Sequence, residues 1–373
     1  MIKTAKQKNG TIELMRFIFT SCILFFHISG MLWNRKKVIM PLTGFDIMFF
    51  RNGAIGVEFF FIVSGYLLAS ACFKKNSNGM STVAGSLPVE TCREIVRRGW
   101  KMWPYYFPAC ILSLITSTTI YGAISAGELV KRIPAFFYLQ ELCLWKLDLT
   151  GAIIIVPSWY ISSMLLSMLV LYPVLRRHYN AYARFVGPVI GCALIAYIAI
   201  KTGNLAGNPK YMFFTTKHNI RAFAELSIGI ACFEAGRWLS LKKVSKSMSI
   251  LISLVAAGLY GLVLFYACTN IDRTYGALMC LMLAVAVTIS FSEKGYIGRR
   301  CIKDSKLAVY LGSITLPIYL MQVAVIDWAN YLFSELRPGY RLLIMYFGTI
   351  LIAMVFKEIV RIAKHSIKRV SSN

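Results

Sequence analysis

Apolar runs of close to twenty residues, separated by short polar and basic segments, repeat along the chain from Thr11 to Ile362. A run of that length crosses about 30 Å of hydrocarbon as a helix. The pattern predicts about ten transmembrane helices, at 11–33, 50–73, 102–121, 158–176, 185–201, 220–239, 247–268, 274–292, 307–330 and 341–362. The expected fold is therefore an all-α polytopic membrane bundle forming a single membrane-embedded domain, 1–373, with no separate soluble domain and no internal repeat. Connections are short. The longest, 122–157, contains the apolar stretch Ala152–Val156 and is expected to dip back among the helices, since irregular backbone is tolerated at depth only where protein or a cavity surrounds it.

Composition sharpens this picture. The chain is 57% hydrophobic and 15% charged, yet its net charge is +25. The basic residues sit between apolar runs, as topology signals do, which argues against a nucleic-acid-binding face. With the N-terminus inside, 26 of the 41 Lys and Arg residues fall on the inner side, so both termini are expected in the cytoplasm, although Arg35, Lys36 and Lys37 then lie outside. Lys3, Lys6 and Lys8 precede a first run too long for a signal-peptide core and followed by no small-residue cleavage site, so it reads as an uncleaved span. Ten cysteines without a CxxC pair, most of them in predicted spans, read as apolar packing residues, and no metal site is expected.

Ionisable residues inside spans are costly and mark candidate functional sites. Arg16 and His27, both in the first run, are eleven positions apart, so they return to within roughly 20° of one helix face and are separated by about 16 Å along the axis. Glu58 enters the second run at a depth similar to that of His27. A carboxylate holding one imidazole nitrogen makes the other a better base, as activation of a hydroxyl requires. The same pair could instead glue two helices, or form the proton relay of a solute transporter. Arg98 and Lys101, at the inner entrance of the third span, suit either phosphates or anionic lipid headgroups. Arg221 and Glu225, four apart, are placed to pair with each other. Trp159 and Tyr160 suit stacking on a sugar or an interfacial aromatic belt. A soluble-type glycerolipid acyltransferase would place Asp four residues after a His, and none of the four histidines is so followed.

Taken together, Glu13-Leu-Met-Arg16 with His27, Gly56-Val-Glu58-Phe-Phe-Phe-Ile-Val-Ser64-Gly65, Arg98-x-x-Lys101-x-x-Pro104, Ser158-Trp159, Tyr172-Pro173 and Leu311-Gly312-Ser-Ile-Thr315-x-x-Ile-Tyr319-Leu-Met-Gln322 resemble the acyltransferase-3 family of integral-membrane O-acyltransferases over nearly the whole chain. The resemblance implies transfer of an acyl group, commonly acetyl, from cytoplasmic acyl-CoA to a hydroxyl of a carbohydrate or cell-surface glycan, in a bacterial inner membrane. Acyl-CoA would be a co-substrate, with no bound cofactor; lipid and a carbohydrate acceptor would be the partners. It casts His27 as catalytic base with Glu58 beside it, Arg16, Arg98 and Lys101 as donor-binding groups, and Ser64, Trp159, Tyr160, Tyr319 and Gln322 as acceptor or pocket residues. Three positions depart from the family pattern: Glu58 where Asp is commoner, Lys101 where Arg is, and Gln322 where many members have His.

Overall fold

The structure, a computed structural model, describes residues 9–34, 38–39, 46–47, 49–78, 86–144, 147–149, 152–207 and 211–370. Lys3, Lys6, Lys8, Arg35, Lys36 and Lys37, which entered the topology argument, lie outside the described residues. The helices are α1 (Gly10–Trp33), α2 (Gly56–Ser77), α3 (Leu87–Tyr121), α4 (Ala126–Lys131), α5 (Ile133–Phe136), α6 (Trp159–Ala181), α7 (Gly187–Thr202), α8 (Lys217–Leu241), α9 (Lys246–Cys268), α10 (Gly276–Ser292), α11 (Lys306–Leu332) and α12 (Pro338–Val370). Strand structure among the described residues is limited to three two-residue antiparallel ribbons in the connections.

Each span expected from hydropathy overlaps one of the longer helices, but α3 begins at Leu87, about four turns before the expected 102, and α12 runs on to Val370, past the expected 362. Among the described residues, seven helical stretches are long and apolar enough to cross a membrane, one of them, Val156–Thr202, running through both α6 and α7. Outside that group fall α3, rich in Tyr, Ser, Thr and Pro, and α8, which carries Arg221, Glu225, Glu234 and Arg237. At 35 residues, α3 is about 52 Å long, more than the hydrocarbon needs, so its charged first turns project beyond it.

Local chemistry sets the helix ends. Asn9, Thr216, Ser245 and Ser305 each accept a hydrogen bond from the backbone N–H three residues on, capping α1, α8, α9 and α11;. Below, the near end is the one where α1 begins and the far end the one where it finishes.

The tightest crossing is α2 against α8. A Cβ on Gly65 would collide with the Leu226 carbonyl, and one on Gly229 with the Ile62 carbonyl. Only small residues let backbones come this close in a membrane bundle. Gly56 likewise meets the Phe19 carbonyl of α1. These contacts lock α1, α2 and α8 side by side and fix the azimuth of every polar group on them.

Part of the connection before α6 is buried, Ala135, Gln140, Glu141, Ala152 and Ile155 among its residues, while Leu129, Phe137 and Val156 stay exposed. Several of its polar groups pair internally. Gln140 Nε2 donates to the Ser158 carbonyl at 3.0 Å, Ser162 Oγ to the Tyr138 carbonyl at 2.6 Å, and Tyr106 OH to the Ala135 carbonyl at 2.7 Å;.

Candidate active site

A cavity of about 640 Å³ enters the bundle from the near end. Asn9 of α1 and Glu293, just past α10, stand at its mouth; Val57, Phe60, Tyr160 and Tyr319 close it. Wall positions on α2 run from Ser70 to Val57, a depth of about 20 Å at 1.5 Å per residue. Most of the wall is apolar, with Leu67, Met102, Met164, Phe233 and Phe291 among its residues. At the closed end Tyr160 OH and Ser64 Oγ share a hydrogen bond of 3.1 Å, and Tyr319 OH donates to the Pro157 carbonyl. Arg16, Ser64, Tyr160 and Tyr319 of the expected site thus converge on one slot. Gln322 lies behind that wall: it is buried, its Nε2 donates to the Tyr319 carbonyl at 3.0 Å, and its Oε1 has no partner among the described residues.

Arg16 faces this cavity rather than lipid, which resolves its presence in an apolar helix. Its guanidinium contacts both oxygens of Glu13 at 3.2 Å, and Glu13 fits against α11 because residue 312 is Gly. His27 does not line the cavity. Beyond Arg16 the same face of α1 packs directly on α2: Phe19 is fully buried and stacks on Phe59 at 4.7 Å. The common stripe of Arg16 and His27 is therefore interrupted by a packed contact. His27 is half-buried three turns farther on, edge-on to Phe26 at 5.4 Å.

The pairing of Glu58 with His27, expected from their depth, is not formed. Glu58 is turned toward α8, where Arg221 Nη2 lies 2.5 Å from its Oε1, while Arg221 Nε donates to Glu225 at 2.9 Å. All three are almost inaccessible. Depth was a sound guide along the axis but says nothing of azimuth, and a permanently charged guanidinium is the stronger partner for a buried carboxylate. Arg221 and Glu225 do pair as their spacing implied; the third member was not legible because it comes from another helix.

A histidine that plays no part in the sequence argument is built into the fold. His218, at the start of α8, is buried between Glu141 (Nδ1 to Oε1, 3.2 Å) and the Gly207 carbonyl (Nε2 to O, 3.2 Å). Trp159 stacks on its ring at 4.1 Å, and Arg221 lies over the other ring system, 5.5 Å from the Trp159 centroid. Trp159 thus touches both the His218–Glu141 pair and the Arg221 cluster.

At the near end, α3 presents a second charged group. Glu94 receives Arg97 at 2.6 Å and Arg98 at 2.9 Å, and Glu90 receives Tyr172 OH at 2.7 Å, Lys75 at 3.2 Å and Arg176 at 3.2 Å. Burial opposes ionisation of both carboxyls, but these donors outweigh it and hold them below their ordinary range;. Arg98 precedes the wall residue Met102 by one turn on the same face, which puts it toward the cavity mouth. Lys101 is exposed and does not line the cavity. Among the described residues, no three His, Cys, Asp or Glu side chains converge as a metal site.

A family model described as an acyltransferase domain, that of acyltransferase-3, matches residues 9–358. No curated protein and no solved structure matches the chain. With the match covering nearly its whole length and the cavity reaching into an apolar helical bundle, the chain belongs to the acyltransferase-3 family of integral-membrane acyltransferases.

Proposed function

We propose that this acyltransferase takes an acyl group, acetyl in the simplest case, from acyl-CoA entering at the near end and passes it to a hydroxyl of a carbohydrate or cell-surface glycan. The observation that carries the reading is the slot itself: about 20 Å deep by helix geometry, apolar along its length, with Arg16 in its wall. A phosphopantetheine arm is long and slender, its two amides and one hydroxyl spaced by short apolar segments, and phosphates outside the slot would meet Arg98 and Lys101 near its mouth, where guanidinium and ammonium groups make strong charge-assisted contacts. The near end is then cytoplasmic, as the concentration of Lys and Arg on that side favours, and a bacterial inner membrane is the natural setting.

In this reading His27 is the base that takes the acceptor hydroxyl proton as the oxygen attacks the thioester carbonyl, the thiolate of CoA leaving. Glu58 acts through Arg221 and not through His27. A proton-coupled transporter, the rival reading, drew its relay from a His27–Glu58 pair; that pair is absent, and Glu58 is already neutralised by Arg221.

The test uses purified protein in lipid nanodiscs, where no gradient exists. Supplied with a sugar hydroxyl as acceptor, the protein should consume acetyl-CoA, form the O-acetyl ester and release CoA thiol, and His27→Ala should stop it. Solute flux in sealed vesicles without consumption of any acyl-CoA would overturn the assignment.

A further inference from the structure

The far half contains a second cavity, far smaller, of about 20 Å³. Its walls include Arg51, Asn52, Glu58, Asn204, Tyr266 and Arg273. That volume holds a single water or hydroxyl. Three of the wall residues carry a buried oxygen with no hydrogen-bond partner among the described residues: Asn52 Oδ1, Glu58 Oε2 and Asn204 Oδ1. Asn52 and Glu58 are 4% and 2% exposed. The orientation of Asn52 is fixed, because its Nδ2 donates to the carbonyls of Tyr266, Thr269 and Ile271 at 3.3, 3.4 and 2.8 Å; the oxygen is what remains. An orphaned buried acceptor costs about 1–3 kcal/mol, so such a group calls for an explanation. All three are acceptors, and what they lack is a donor.

Position adds a second argument. Glu58 lines this cavity and its neighbour Val57 lines the closed end of the large one. The two cavities therefore back onto each other across one residue of α2, one reaching toward the near end and the other walled by turns of the far end. Arg51 and Arg273 give the small cavity a cationic rim.

We infer that the small cavity is the acceptor subsite: one hydroxyl of a carbohydrate enters it and donates to these oxygens, and the two arginines favour an acceptor sugar that also bears a carboxylate or phosphate. The inference rests on the acyltransferase reading for the meaning of "acceptor", but the binding it asserts can be measured without turnover.

The experiment places a reporter thiol, Asn204→Cys, in a background where the exposed Cys92, Cys192 and Cys301 are changed to Ser, with Gly339→Cys, at the exposed start of α12, as the control position. Protein in nanodiscs is labelled with a polar maleimide in the presence of methyl glucuronide or methyl glucoside. Glucuronide should slow labelling at position 204 at least threefold, glucoside should slow it less, and neither should slow the control. Adding Arg51→Gln should remove the difference between the two sugars. Unchanged rates with both sugars would mean that the cavity holds water alone and would overturn the inference; equal protection by both would overturn the anionic preference. Acetyl-CoA consumption, followed on the same samples, separates the two readings: consumption without sugar protection defeats only the subsite, and protection without consumption defeats only the donor assignment.

Discussion

The near and far halves of this bundle solve opposite problems with the same helices. The near half keeps a roomy, apolar slot open to one face, its charged groups gathered at or near the mouth. In the far half charges lie at full depth, packed so closely that only a one-water space remains. The change occurs within single steps of the chain: Val57 faces the slot and Glu58 the charge cluster; Tyr160 closes the slot and Trp159 lies against Arg221. Successive residues on a helix point about 100° apart, so two neighbours can serve two compartments. A partition only a side chain thick, with Phe61 packed against both Trp159 and Tyr160, is what a transfer between two faces requires.

The largest effect is expected at His27, which lines neither cavity. His27→Ala should lower transfer by about 10²–10⁴, the usual contribution of a positioned base, while leaving donor affinity and folding near normal. A well-folded His27→Ala protein that transfers at the wild-type rate would remove the base from the scheme.

Next in size is Arg221→Met. If the far half is held by its buried charges, this change strands Glu58 and Glu225 without their counter-ion and should cost about 3–5 kcal/mol of stability. Thermal unfolding in detergent, followed by size-exclusion fluorescence, reads it. Adding Glu58→Gln and Glu225→Gln should restore much of the loss, because the uncompensated charges are gone. An Arg221→Met protein as stable as wild type would show that the far half is held by packing alone.

Arg16→Met tests the near half by the contrast it should show. Arg16 lines an open slot with a side chain 30% exposed, so its loss should spare stability but raise the donor KM roughly tenfold, the equivalent of one charge-assisted hydrogen bond. An unchanged donor KM would detach Arg16 from the donor route.

The helices and the slot were legible in different degrees. Run lengths foretold each long helix, since crossing hydrocarbon leaves little freedom in length or composition. Arg16, Ser64, Tyr160 and Tyr319 were singled out by type and motif, and the fold brings them to one wall. What the sequence hid was azimuth across helices. Glu58 and Arg221 are 163 positions apart and meet because Gly65 and Gly229 let α2 and α8 touch, a contact that hydropathy cannot register. His218 was hidden for another reason: its partner Glu141 sits on irregular backbone that folds into the bundle, and a loop assignment carries no burial information. A histidine two residues past a Thr helix cap and three before a buried Arg was the one available clue.

The smallest effect concerns the charged face of α3, outside the hydrocarbon. Glu94 is held ionised by Arg97 and Arg98 against the opposing effect of burial, and Glu90 by Tyr172, Lys75 and Arg176. For a carboxyl whose folded pKa is depressed, the stabilisation is complete above its unfolded value of about 4.3 and is lost as pH falls through the folded value. Wild-type protein should therefore unfold at a constant temperature from pH 7 to about 5 and at falling temperature below that. Glu94→Gln should be modestly less stable at pH 7, because Arg97 and Arg98 lose their common partner, and should fall less steeply in acid, because one of the two depressed carboxyls no longer titrates. Glu90, together with Glu128 and Asp272 in the connections and their flanks, keeps the remaining slope. Melting curves of the two proteins in nanodiscs between pH 7 and 3.5 decide the matter: they should converge toward low pH, and curves that stay parallel throughout would show that Glu94 adds nothing to holding α3 in place.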